Sequence, residues 1–194
     1  MTDKEFFKFI KKLNTPKKIQ DFLNTLEENK TDDIFSPKKA VENKKAHCLE
    51  GALIAHCAFI LNNKKSFLLD IRSKKPDLDH VVTLFKEDGL WGAISKTFYP
   101  VLRFRDPVFK SAREIVMSYF PEYFLENGDK TMLNFSIPFS LEKRGNSWMT
   151  AEEDLYEIGW EIDNIKHFDI APKKVLRKLR KADKEEILRV FNRG

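Results

Sequence analysis

The sequence predicts an α+β fold, and three observations carry that expectation. Helix signals fill the stretch up to Lys45, an apolar helix should run from Cys48 to about Leu61, and three strand-like runs follow with a hairpin turn between the last two. A hairpin makes its strands antiparallel, so the apolar helix is expected to pack on an antiparallel sheet.

Thr15-Pro16 is a helix cap followed by a proline, whose fixed φ and missing N–H suit the first helical position. Ile19, Phe22, Leu23 and Leu26 then recur on one face, and that helix should end near Asn29-Lys30. Ser36-Pro37 repeats the signal and starts a short helix that stops before Asn43-Lys44-Lys45. From Cys48 the sequence is apolar nearly all round, the pattern of a helix buried inside a domain. Beside Cys48 on that helix lie Gly51, Ala52 and Ala55, small enough to let another backbone approach, with Phe59 one turn further along.

The strand candidates are Ser66 to Ile71, His80 to Phe85 and Leu90 to Ile94, and Asp88-Gly89 is a strong hairpin signal between the last two. Asp106-Pro107 reads as the cap of a further helix with Val108, Ala112, Ile115, Val116 and Tyr119 on its inner face. A strand-like run spans Thr131 to Leu141. Thr150 and Glu153 then have capping-box spacing before a helix carrying Leu155, Ile158, Ile162 and Ile165. Trp148 and Trp160 are expected to pack this C-terminal half onto the core. With no internal repeat and no low-complexity linker, one domain over 1–194 is expected: helical residues 1–45, a core over 46–100 and a C-terminal elaboration over 101–194.

A chain of 194 residues with 42% hydrophobic content and 17 phenylalanines can bury one sizeable core. The start, Met1 to Phe7, lacks the basic region and long apolar run of a signal peptide, and no apolar run approaches the roughly 20 residues that span a bilayer. A soluble cytoplasmic protein is therefore expected. The net charge is +5, but 35 basic and 30 acidic residues are mixed along most of the chain, which is the pattern of solvated surface. Nucleic-acid and membrane partners are accordingly not expected. The basic excess gathers at 172–181, where Val175, Leu176 and Leu179 suggest a terminal helix docked on the core.

Metal-ligand spacings such as Cys-x-x-Cys and His-Glu-x-x-His are missing, so neither a metal nor another cofactor is expected. Cys48 and Cys57 would lie roughly 13 Å apart along one helix and on opposite faces, too far apart to bridge. In a cytosolic setting both stay reduced.

Cys48 is the candidate nucleophile. A thiolate is the reactive form, and a cysteine at a helix start is drawn toward it by unpaired backbone N–H groups. His80, at the start of a β-branched strand after Asp77-Leu78-Asp79, can project toward a helix end and act as base. Cys57, mid-helix, reads as core. Among the other histidines, His47 is held by the same turn as the cysteine, His56 is two turns up the helix, and His167 lies in the C-terminal elaboration, where it either lines a pocket or does not. Trp91, Phe98 and Tyr99 are candidates to wall a pocket over the sulfur, with Gly92, Ala93 and Ser95 leaving room. Arg103 and Arg105 read as loop cations, with reach to an anionic substrate group as the alternative.

The run Cys48-Leu49-Glu50-Gly51-Ala52-Leu53-Ile54-Ala55, the strand Phe67 to Ile71, Asp79-His80-Val81-Val82 and the run Trp91-Gly92-Ala93-Ile94-Ser95-Lys96-Thr97 together resemble the core of the transglutaminase-like family, over residues 46–97. The resemblance implies a papain-like core, with cysteine at the start of a central helix and histidine and aspartate on successive antiparallel strands. It makes Cys48 the nucleophile and His80 the general base, and it puts Ser95 where the family has its aspartate. A serine hydroxyl orients an imidazole but does not stabilise its positive form as a carboxylate does. The implied activity is hydrolysis or transfer at an amide or thioester of a peptide or small acyl substrate. The alternative is a catalytically degenerate module of the same fold that binds a peptide, a small ligand or a protein partner.

Overall fold

The computed structural model describes residues 1–191. Four helices come first, α1 (Asp3–Ile10), α2 (Pro16–Thr25), α3 (Pro37–Asn43) and α4 (Cys48–Leu61). Strands β1 (Ser66–Ser73), β2 (His80–Glu87), β3 (Leu90–Ile94) and β4 (Arg105–Phe109) follow, then α5 (Ala112–Tyr119), β5 (Met132–Ser136), α6 (Tyr156–Asn164), β6 (His167–Asp169), α7 (Lys173–Leu176) and α8 (Lys184–Phe191). The six strands form one antiparallel sheet in the order β4-β3-β2-β1-β5-β6, an α+β architecture.

Local chemistry fixes the early elements where the sequence indicates. The Thr15 and Ser36 hydroxyls accept from the backbone N–H groups of Lys18 and Lys39, with Pro16 and Pro37 in the first helical turns. Asp88 and Gly89 both take positive φ, 50° and 83°, the two-residue turn that matches strand twist, and Glu87 pairs Leu90 across it.

The sheet is covered on both faces. On one, Leu68, Val81, Phe85 and Ile94 pack against α4 in a cluster that also takes buried side chains from α1, α2, α3 and α6. On the other, Leu69, Ile71, Val82, Leu84 and Ala93 pack against Ile115, Val116 and Tyr119 of α5. Each fully buried aliphatic side chain contributes roughly 1.5–3 kcal/mol to holding these layers together. The small residues of α4 are where the sheet comes closest. Thr83 Oγ1 donates to the Ala52 carbonyl at 2.8 Å, Phe59 stacks on Phe85, and a Cβ on Gly51 would sit 2.2 Å from Lys96 Cβ.

Several elements depart from the sequence expectation. Helix α2 stops at Thr25 rather than near Lys30, because Glu27 N–H donates to the Lys44 carbonyl and Ala46 N–H to that of Glu27, which draws the chain into a bridge. Asp106-Pro107 does not open a helix. It lies in β4, which covers the edge of β3 through the pairs Ala93 with Arg105 and Trp91 with Phe109, and an edge strand tolerates proline. Val108 is consequently 63% exposed, and α5 begins after a Ser111 cap.

The run from Thr131 forms a strand over β5, and beyond it Phe139 makes an isolated antiparallel bridge to Leu68. Thr150 and Glu153 cap nothing. Helix α6 begins later, after Leu155 N–H has donated to the Ile34 carbonyl, although Leu155, Ile158 and Ile162 are buried as their periodicity predicts. Trp148 is buried, but Trp160 is 69% exposed on the outer side of α6 and packs nothing onto the core. The 172–181 segment is not a docked terminal helix either. Only the single turn α7 forms there: Leu176 packs on the α5-side core cluster as expected, while Val175 is exposed. Among the described residues no helix is long and apolar enough to cross a membrane.

Candidate active site

Helix α4 starts at Cys48 because its neighbours close the first turn. His47 Nδ1 accepts from Leu49 N–H at 3.2 Å, and Glu50 Oε2 accepts from His47 N–H at 2.7 Å. The proton of the His47 ring is then on Nε2, which donates to the Asp33 carbonyl at 3.2 Å. Glu50 Oε1 accepts from Asn29 Nδ2 and Phe35 N–H, tying the preceding loop to the helix.

The Cys48 sulfur lies against the start of β2. Its S–H donates to the Asp79 carbonyl at 3.8 Å, and the N–H groups of Val81, Leu49 and Cys48 itself face the sulfur and favour the thiolate. Burial outweighs them and, with the Asp70 charge adding to it, holds the thiol above its ordinary range. The helix start therefore does not lower this thiol on balance, contrary to the sequence expectation: N–H groups are a local feature, whereas desolvation is set by what packs around them.

His80 is the first residue of β2 and is buried. Its Nε2 lies 2.6 Å from Ser95 Oγ. Burial pushes the imidazole down to about 4, so the ring is neutral at pH 7. Ser95 is held through its backbone, with its N–H donating to Gln20 Oε1 at 3.1 Å and its carbonyl accepting from Gln20 Nε2 at 2.9 Å. Strand alternation puts His80 on the face of Val82 and Leu84, and Ser95 beside Ala93 on that same face. Helix α4 covers the opposite face, so the thiol reaches the strand between the two residues that flank His80. Among the described residues no hydrogen bond joins thiol to ring.

Cys48 and His80 line one cavity of about 590 Å³, at the end of the sheet where α4 and β2 begin and β3 finishes. Phe98, Tyr99, Tyr123, Phe124 and Phe191 supply aromatic walls, and Glu28, Asp77, Asp79, Glu122 and Glu126 supply carboxylates. Three of these carboxylates are engaged within the fold: Asp79 Oδ1 accepts from Ser73 N–H at 2.8 Å, Asp77 accepts from Thr131 Oγ1 and from Leu78 N–H, and Glu122 pairs with Arg105 and Arg189. Lys96 is the one lysine or arginine among the described lining residues.

The remaining candidates are elsewhere. Trp91 packs on Phe67, with Lys86 over its ring, and does not line the cavity. Neither Arg103 nor Arg105 reaches it: Arg103 Nε donates to the Thr97 carbonyl, and Arg105 donates to Ser118 Oγ and stacks on Tyr119 at 4.1 Å. His56 bridges Ser66 Oγ at 2.7 Å and the N–H of Leu141 at 3.0 Å, a buried structural tie. His167 does not line the cavity either. It holds the buried Asp70 carboxylate at 3.0 Å on β1. Cys57 is buried in the core, its thiol pushed up by desolvation, and neither cysteine is bridged. Among the described residues no group of three or more His, Cys, Asp or Glu is placed to hold a metal.

Sequence reasoning missed Gln20, Lys96 and Tyr123. Gln20 carried a signal, a polar residue next to Ile19 on the buried side of α2. Tyr123 carried none, because it comes to the cavity from the far face of the sheet, where its hydroxyl donates to the Leu78 carbonyl at 3.1 Å. No protein-family model matches this chain, and no curated protein matches it in sequence.

Proposed function

We propose that the chain is a transglutaminase-like thiol enzyme on a papain-like core, performing cysteine–histidine acyl chemistry on the amide or thioester of a peptide or small acyl substrate. The observation that carries this reading is the 2.6 Å contact between His80 Nε2 and Ser95 Oγ, beside a cavity into which the Cys48 helix start also opens. That contact supports a base on one strand with its orienting partner on the next, the arrangement the resemblance implies.

Cys48 Sγ attacks the acyl carbon and its proton passes to His80. The resting thiol and imidazole are both neutral, so proton removal accompanies attack instead of preceding it. Ser95 suits this sequence, because its hydroxyl oxygen accepts from Nε2–H, which leaves Nδ1 free to take the thiol proton. The N–H groups at the start of α4 stabilise the oxyanion. Collapse expels the amine or thiol, which leaves with the proton that His80 took from Cys48. Water, an amine or a thiol then cleaves the Cys48 thioester. A cytoplasmic location keeps Cys48 reduced for this chemistry.

One observation favours a second reading, a degenerate module that binds a peptide, small ligand or protein partner. Ser95 supplies no charge to stabilise an imidazolium, and burial holds His80 as the free base. Incubation with p-nitrophenyl acetate and peptide mass spectrometry separates the two. The enzyme reading expects acetyl on Cys48, none on Cys57, and a rate reduced about 100-fold or more in His80→Ala. Absence of acetyl-Cys48 from roughly pH 6 to pH 9 sinks the enzyme reading in favour of the binding module.

A further inference from the structure

We infer that Lys96 forms an anion subsite of the cavity, placed to take the carboxylate of a small acyl ligand beside the Cys48 sulfur. Calling that ligand a substrate rests on the proposed acyl chemistry; the subsite itself does not.

A lysine ammonium carries a full charge and three N–H donors, and burying it without an acidic partner is costly. Lys96 is 5% exposed. It makes one hydrogen bond, to the Leu26 carbonyl at 2.5 Å, and stands 4.7 Å over the Phe98 ring. No ion pair joins it to a carboxylate among the described residues, and two of its three donors are left for a ligand. Burial and the Arg103 charge work against the ammonium, the nearby Glu28 carboxylate favours it more weakly, and a bound anion would relieve the remainder.

Its place in the fold links it to the sulfur. Lys96 Cβ fills the space in front of Gly51, and Gly51 lies three residues after Cys48, on the same side of α4. Both Lys96 and Cys48 line the cavity. One charge and two donors match a single carboxylate. A phosphate dianion is disfavoured by the five carboxylates lining the same space. A purely structural lysine, tying the end of β3 to the chain after α2, would affect stability but not discriminate between charged and neutral reagents at Cys48.

Iodoacetate and iodoacetamide differ only in that carboxylate, and their rates at Cys48 are separable by peptide mass spectrometry. We expect the iodoacetate-to-iodoacetamide rate ratio at Cys48 to exceed that of N-acetylcysteine amide by roughly 3- to 10-fold. Lys96→Met should abolish the excess and Lys96→Arg should keep it. A ratio equal to that of the free thiol, or unchanged in Lys96→Met, overturns the subsite. Should Cys48 react with neither reagent, or Lys96→Met fail to fold, NMR titration of the wild-type chain decides. Shifts of the Phe98 ring and Lys96 ε-protons with acetate but not acetamide uphold the subsite even where the acyl chemistry fails, and equal or absent shifts overturn it.

Discussion

His80 and Ser95 meet at 2.6 Å across neighbouring strands because the Asp88-Gly89 turn fixes the register of the hairpin that carries them. Thr83 opposes Ile94, so Ser95 falls on the face of His80 one step beyond the last paired residue. The Gln20 amide then holds the serine's backbone from both sides.

Changing the hydroxyl should move the histidine. In Ser95→Asp a carboxylate replaces a neutral group beside the ring, so the His80 pKa should rise from about 4 toward its ordinary value. Ser95→Ala removes the partner and should cost about 1 kcal/mol of stability and about tenfold in acylation. Histidine NMR titration and acylation rates check both. A His80 titration unmoved by Ser95→Asp would show that the contact has no electrostatic influence.

Gly51 is required by packing, not by turn geometry. Alanine there is the better helix former by about 1 kcal/mol, yet its Cβ would meet Lys96 Cβ at 2.2 Å. Gly51→Ala should therefore be destabilising by about 1–3 kcal/mol, measured as a lowered denaturation midpoint. A raised midpoint would mean that Lys96 moves aside freely.

Stability should fall in mild acid. His56 and His80 are held near 4, below the ordinary 6.5, so the unfolded chain binds their protons first. Their contribution is complete above about pH 6.5 and is lost as pH falls toward 4. Asp70 runs the other way: burial raises it to about 6, so the folded chain takes up that proton first and offsets part of the loss between about 6 and 4. Two protons against one give a net decrease of about 2–3 kcal/mol from pH 6.5 to pH 4.5. Equilibrium unfolding across that range checks it, and Asp70→Asn should steepen the fall.

What was legible in the sequence was what local chemistry decides. Thr15-Pro16, Ser36-Pro37 and Asp88-Gly89 each fix their backbone through one cap or turn, and the strand pattern around His80 and Ser95 follows from that hairpin. Asp106-Pro107 misled because the same cap signal lost to the pairing that β3 required along its edge. Trp160 misled because its place on α6 put it outside the buried stripe of Ile158 and Ile162. Lys96 and Tyr123 reach the cavity through long-range packing that no local pattern encodes. The direction of the Cys48 pKa was hidden for the same reason, since desolvation depends on what covers the thiol.

The pH dependence of acyl-Cys48 formation, compared between wild type and His80→Ala at limiting substrate, tests most directly whether His80 serves Cys48. Acylation of the free protein should rise through an acid limb near the His80 pKa of about 4, hold through neutrality, and lose both limb and plateau in His80→Ala. Acylation that rises only as the thiol itself ionises, with the same profile in His80→Ala, would contradict a Cys48–His80 site.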